Sequence, residues 1–341
     1  MRVVPRIRAR WRARAAAATL PVLLLTAFAP APAALHLPPS APADSTTRQA
    51  ALSPHVVVIS IDGLRPDAIA KYRARTIQRL MREGSYSLQA KTILPSLTLP
   101  SHTSMLTGVE PAVHGIDWNT EQMERHGHVQ VPTIFSVAQA AGLQTAAFFA
   151  KSKFHHLELP GSLDHAQYPA HRVEKTTSRE TIRALEKYLQ RERPNLLFVH
   201  IGEPDYAGHV FGWMSFAYGW AVETADEAVD EVLEEADRAF GEGNYTVILT
   251  ADHGGHGRGH GSDDPRDVTI PWVSWGRGVE VGTVLPAGIR TMDTAATALW
   301  LLGLRLPEPH AGSPVIAAFA PEFSARGLEL VRADHALPAS H

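Results

Sequence analysis

Between His55 and Asp62 the chain reads Val56-Val57-Val58-Ile59-Ser60-Ile61, a nearly unbroken β-branched run that closes on a carboxylate. Such a run has no polar face to offer to water, so it belongs to a strand covered on both sides. Similar runs recur at residues 144–150, 195–201, 245–251 and 268–275. Helical patterns lie at residues 66–83, 131–141, 177–193, 215–240 and 291–302. Thr177 and Glu180 have capping-box spacing, and Ile182, Leu185, Tyr188 and Leu189 share one helical face. Strands alternating with helices predict an α/β fold: a mostly parallel sheet flanked by helices, with ligands held at the carboxyl ends of the strands.

The first residues have another character. Arg2, Arg6, Arg8, Arg10, Arg12 and Arg14 precede an apolar run over residues 15–28 and then Ala29-Pro30-Ala31-Pro32-Ala33-Ala34. A basic start, an apolar centre and small residues at the cut predict a secretory signal peptide over 1–34, hence a periplasmic or secreted protein. A membrane anchor is the alternative, but Pro21, Pro30 and Pro32 interrupt a stretch that barely reaches spanning length. A Pro/Ser/Ala linker over 35–53, one domain over 54–320 and a tail over 321–341 complete the expected organisation. Setting the leader arginines aside, acids outnumber bases, and nothing in the charge balance suggests nucleic-acid binding. The chain has no cysteine, so a disulfide framework, a thiolate metal site and a cysteine nucleophile are excluded.

Any metal must therefore rest on His, Asp, Glu and hydroxyl groups. Asp62 and Asp252 each close a strand, and Asp205 lies just past another. One such Asp is ordinary turn or cap chemistry, whereas three on separate strands point to a site. Asp252 opens the loop Asp252-His253-Gly254-Gly255-His256-Gly257-Arg258-Gly259-His260, in which glycines can fold several ligands around one ion. Composition alone also allows a solvated loop. Asp205 and His209 stand four apart on a helical pattern. Pro100 suits a helix first turn, which puts Thr98 at a helix N-terminus, either as a cap or as a hydroxyl that a metal activates. The polar, His-rich stretches at 117–130 and 151–175 read as small insertions over the sheet edge and walls of a cleft.

Taken together, these residues resemble the nucleotide pyrophosphatase/phosphodiesterase branch of the alkaline phosphatase superfamily. The resemblance rests on Asp62 after a hydrophobic strand, Thr98-Leu99-Pro100-Ser101-His102, Thr107-Gly108 and His114-Gly115-Ile116. It continues through Glu203-Pro204-Asp205 with Gly208-His209, Asp252-His253-Gly254 and the late segment Met292-Asp293 to Leu304. It implies a three-layer alkaline-phosphatase-like fold with two zinc ions. One would be held by Asp62, Thr98, Asp252 and His253, the other by Asp205, His209 and His260. His260 is preferred to His256 because the third His in such proteins precedes a segment leading into a final strand. Thr98 would be the nucleophile, with Asn119 donating its amide to a phosphate oxygen.

The implied activity is hydrolysis of a small-molecule phosphate ester, diester in preference, through a phospho-threonine intermediate. Ser101 departs from the Asn of nucleotide-cleaving members, which weakens a nucleotide-specific expectation. Lys151 and Lys153 resemble the basic pair of monoesterase members, so a phosphomonoesterase is the alternative; two lysines after a strand also read as solvated charge. Tyr206, Phe211 and Trp213 flank His209 as aromatic stackers or as core. A sulfatase is disfavoured, because its nucleophile is Cys or Ser followed by x-Pro-x-Arg. A secreted metal- or phosphonate-binding protein without turnover is a reading of another class.

Overall fold

The computed structural model describes residues 50–170 and 175–325; the expected leader, most of the linker and the last part of the tail lie outside them. Its centre is an eight-stranded sheet in the order β4-β3-β5-β1-β6-β7-β2-β8. The strands are β1 (His55–Ile61), β2 (Ser85–Lys91), β3 (Thr145–Phe148), β4 (His165–Gln167), β5 (Leu196–Ile201), β6 (Tyr245–Thr250), β7 (Thr269–Gly276) and β8 (Thr283–Val284). From β4 to β6 every pairing is parallel, as expected. β1 beyond His55 and all of β5 and β6 are buried, which is why those segments carry no polar face.

Two groups of helices cover the sheet. Ser178–Leu189, Glu203–Phe211 and Phe216–Phe240 pack on one another, while Asp293–Leu301 packs on Thr98–Thr107 and Ile134–Ala140; both groups reach β1. The Thr177–Glu180 capping box forms as the spacing predicts. Leu52 and Ser53 donate their amides to Leu301 O, so the packed unit already includes them.

Three features differ from the sequence expectation, each for a local physical reason. The 66–83 pattern is two helices, Pro66–Lys71 and Arg75–Glu83, broken at Arg73 with φ of 53°. The break lets the Tyr72 ring lie where a Cβ on Gly219 would come within 2.4 Å of it. β2 carries no apolar run to announce it: Ser-Tyr-Ser-Leu-Gln-Ala-Lys alternates over a polar, half-buried surface and shifts register against β7 between Ser87 and Ala90. Finally, β7 runs antiparallel to β6 and β2. A parallel return needs a crossover, usually a long helix. Between β6 and β7 lies instead the His/Gly loop with one short helix, Pro265–Val268.

Candidate active site and metal centre

The order β3-β5-β1-β6 sets four carboxyl ends side by side, and beyond them stand Lys151, Asp205, Asp62 and Asp252 respectively. Gly63 makes the junction possible. Its φ is 72°, its N–H donates to Asp252 Oδ1 at 3.1 Å, and a Cβ there would lie 3.0 Å from Asp205 Cα. Asp205 N–H in turn donates to Asp62 O at 3.0 Å. Asp62 and Asp252 are fully buried and Asp205 nearly so.

Two ligand groups emerge. Atoms of Asp62, Asp252 and His253 lie within 4.8 Å of one another, and so do atoms of Asp205, His253 and His260. The imidazole tautomers follow from their partners, since a carbonyl can only accept. His253 Nδ1–H donates to Gly254 O at 2.8 Å, His260 Nδ1–H to Ser96 O at 2.8 Å and His209 Nδ1–H to Arg258 O at 3.1 Å. Each neutral ring is left with a bare Nε2. His253 Nε2 faces Asp252 Oδ2 at 3.2 Å and Asp62 Oδ1 at 3.4 Å; His209 Nε2 faces Asp205 Oδ1 at 3.2 Å. Asp62 Oδ1, Asp205 Oδ1 and Asp252 Oδ2 are buried without a hydrogen-bond partner. Lone pairs turned on lone pairs in a buried site cost free energy that a cation removes, and the donor set is all nitrogen and oxygen, so the residues fit a divalent metal.

Burial and close charges shift these groups in both directions. Burial, then the charge of His260, lowers the His253 imidazole to about 3, and burial also lowers His260. The Asp205 carboxylate, 3.2 Å from its Nε2, raises His209. Burial pushes Asp62 up, but Lys151 and then His200 outweigh it and hold its carboxyl well below the usual range. Burial, then Asp62, raises Asp252 well above that range.

Thr98 opens a helix in which every residue is buried. Its Oγ1 stands 3.3 Å from His253 Nε2. Two of its threonines are satisfied within the helix: Thr103 donates to Leu99 O at 2.7 Å and Thr107 to Thr103 O at 2.6 Å. Ser101, the departure noted in the sequence, donates to Asp252 O at 2.7 Å. Asn119 Oδ1 accepts from Leu99 N–H at 2.9 Å and from Lys153 Nζ at 3.1 Å, which leaves its NH2 for the adjacent cleft.

That cleft, about 770 Å3, is lined by Thr98, Asn119, Lys151, Lys153, Asp205 and Tyr206 among others. Both stretches expected to wall it contribute. Lys151 is 8% exposed, paired with Asp62 and Asp205 rather than solvated. Burial, then Lys151, lowers Lys153 to about 8. Tyr206 is exposed and carries Lys175 Nζ 3.5 Å above its ring. Trp213 is core: its Nε1–H donates to Gly63 O at 3.0 Å, and its ring lies 5.7 Å from that of His260. Phe211 is exposed.

His260 joins the cluster, whereas His256 turns away, with Nδ1 2.7 Å from Asp267 Oδ1. Two residues were given no role from the sequence. His200 Nε2 donates to Asp62 Oδ2 at 3.0 Å. His102 binds Thr98 O at 2.8 Å and Ser60 Oγ at 2.8 Å, and lies 3.4 Å from Asp252 Oδ2. A histidine inside the otherwise apolar run 196–201, and another one helical turn after Thr98, are the available signals.

A family model described as type I phosphodiesterase / nucleotide pyrophosphatase matches residues 56–258. The chain is 24% identical over 220 residues to ectonucleotide pyrophosphatase/phosphodiesterase family member 3 of Bos taurus, covering 59% of this chain and 25% of that protein. It is 26% identical over 295 residues to the GPI ethanolamine phosphate transferase 2 catalytic subunit of Homo sapiens, covering 81% of this chain and 29% of that protein. It thus spans little more than a quarter of the length of these relatives. Among solved structures it is similar to murine ectonucleotide pyrophosphatase / phosphodiesterase 5, an inactive form in complex with AMP. The TM-score is 0.66 at 16% identity, covering 78% of this chain and 100% of that one.

Proposed function

The chain belongs to the type I phosphodiesterase / nucleotide pyrophosphatase family of the alkaline phosphatase superfamily and has its fold; on that premise we propose that it is an exported two-zinc hydrolase that cleaves phosphate esters, diesters in preference, with Thr98 as nucleophile. The observation that carries this reading is Thr98 Oγ1 standing 3.3 Å from the bare Nε2 of His253, at the start of a buried helix.

Asp62, Thr98, Asp252 and His253 form one ligand set, and Asp205, His209 and His260 the other. Zinc suits oxygen and nitrogen donors without thiolate. Bound there, it supplies Lewis-acid charge that lowers the pKa of a hydroxyl and offsets the negative charge of a phosphate. Thr98 gives its hydroxyl proton to solvent and its Oγ1 forms the bond to phosphorus as the bond from phosphorus to the ester oxygen breaks; that oxygen leaves and is protonated, and water then cleaves the Oγ1–phosphorus bond, releasing the phosphoryl product and restoring the Thr98 hydroxyl. Asn119, its oxygen occupied by Leu99 N–H, turns donors toward the phosphate as negative charge builds there. The solved relative holds AMP, and a small phosphate ester is the substrate class we assign. Export rests on the composition of residues 1–34; among the described residues no helix is long and apolar enough to cross a membrane.

A monoester reading is favoured by one observation. Lys153 Nζ is hydrogen-bonded to Asn119 Oδ1 within the cleft, so an ammonium stands beside the amide that meets the phosphate, and a dianion gains more from it than a monoanion.

The test is turnover of bis-p-nitrophenyl phosphate against p-nitrophenyl phosphate by purified protein. EDTA should abolish it, and Thr98→Ala should lower it at least about 10³-fold. Zinc binding with no turnover of either ester, unchanged by Thr98→Ala, would favour the non-catalytic binder.

A further inference from the structure

Lys151 lies where a cation is wanted and is itself one. Its Nζ is 2.6 Å from Asp62 Oδ2 and 2.6 Å from Asp205 Oδ2, and its side chain is 10% exposed. Asp62 belongs to one ligand group and Asp205 to the other, so a single ammonium spans both. The topology explains the reach: β5 lies between β3 and β1, and the residues that follow their ends converge. The remaining oxygens of the same two carboxylates, Asp62 Oδ1 and Asp205 Oδ1, have no hydrogen-bond partner.

We propose that Lys151 is the stand-in cation of the unloaded site: it holds Asp62 and Asp205 together without metal, and it opposes metal binding. This rests on the two-zinc reading above and adds to it how the protein endures without its metal. Two carboxylates this close in a buried site repel each other and lack water, so the ammonium stabilises the unloaded fold. An incoming divalent ion meets the same carboxylates and is repelled by the ammonium beside them, so affinity is set below what the ligands alone would give. Lys151 thus acts through Asp62 and Asp205 as a positioning residue.

The experiment is thermal unfolding and zinc titration of wild type and Lys151→Met, a swap of similar length without the charge. In EDTA the variant should melt well below wild type, yet bind zinc at least about tenfold more tightly, so its melting gain on adding zinc should exceed that of wild type. A residue that only fills space would lower both melting points equally. A residue that only binds substrate would move neither. An unchanged or weaker zinc affinity, or an unchanged melting point in EDTA, overturns the proposal. Should Lys151→Met not fold without zinc, Lys151→Met/Asp205→Asn removes the opposed charges together and should fold in EDTA; a double variant that also fails there overturns it. Wild type that binds no zinc defeats the two-zinc reading and this proposal together, whereas wild type that binds zinc as tightly as the variant defeats this proposal alone.

Discussion

His209 and His260 meet Nε2 to Nε2 at 3.1 Å, although each has committed its only neutral-form proton, on Nδ1, to a backbone carbonyl. Two neutral rings bonded in this way have no proton to share, and a cation held between the two Nε2 atoms would satisfy both lone pairs. His260→Ala should therefore lose one zinc per chain and lower the diesterase rate by at least about a hundredfold. His256→Ala, which cuts a contact to Asp267 instead, should keep both. Metal content by mass spectrometry and the hydrolysis rate decide, and the opposite pattern would reassign the third ligand.

Asn119 offers a test of charge stabilisation separate from metal binding. Asn119→Ala should lower kcat by about 10²–10³-fold with little change in KM, and leave zinc content intact. A variant that changes KM alone would mean that the amide binds substrate without favouring the transition state.

Lys153 predicts a pH dependence. Held at about 8 by burial and by Lys151, it is cationic below that pH and neutral above. Inhibition by inorganic phosphate should weaken several-fold as pH rises from about 7 to about 9, whereas a lysine at the ordinary value of about 10.4 would stay cationic over that range. Lys153→Met should bind phosphate weakly throughout and show a flatter profile. An identical slope in the variant would take Lys153 out of the site.

Gly255 ties the stability of the loop to the site. A Cβ there would come 2.2 Å from the Trp213 indole, whose ring stands 5.1 Å from His209. Gly255→Ala should cost about 1–3 kcal/mol, read as a melting loss of roughly 2–4 °C per kcal/mol, and weaken zinc binding. Gly259→Ala, whose Cβ would meet nothing within 4 Å, should do neither.

Much of this architecture was legible along the chain. Apolar runs marked the buried parallel strands, the Thr177–Glu180 spacing marked a helix start, and acids at strand ends marked the edge where chemistry collects. β2 was not legible, because a strand whose pattern is polar and half-buried looks like a loop until β7 pairs with it. The helix break at Arg73 was hidden for a related reason: the partner that draws Tyr72 aside, Gly219, lies far along the sequence.

The sequence by itself determined which residue types were available and on which strand ends they stood. Covalent order and side-chain periodicity are local properties, and they placed Asp62, Asp205 and Asp252 at or just past strand ends and Thr98 at a helix start. Only the tertiary structure decided which histidine of the loop turns inward, that His102 and His200 back the carboxylates, and that Lys151 is a buried counter-ion rather than surface charge. Those outcomes depend on strand order and on how glycines such as Gly63 let separate loops touch. Coulomb and hydrogen-bond energies depend on distance in space, which chain order does not carry.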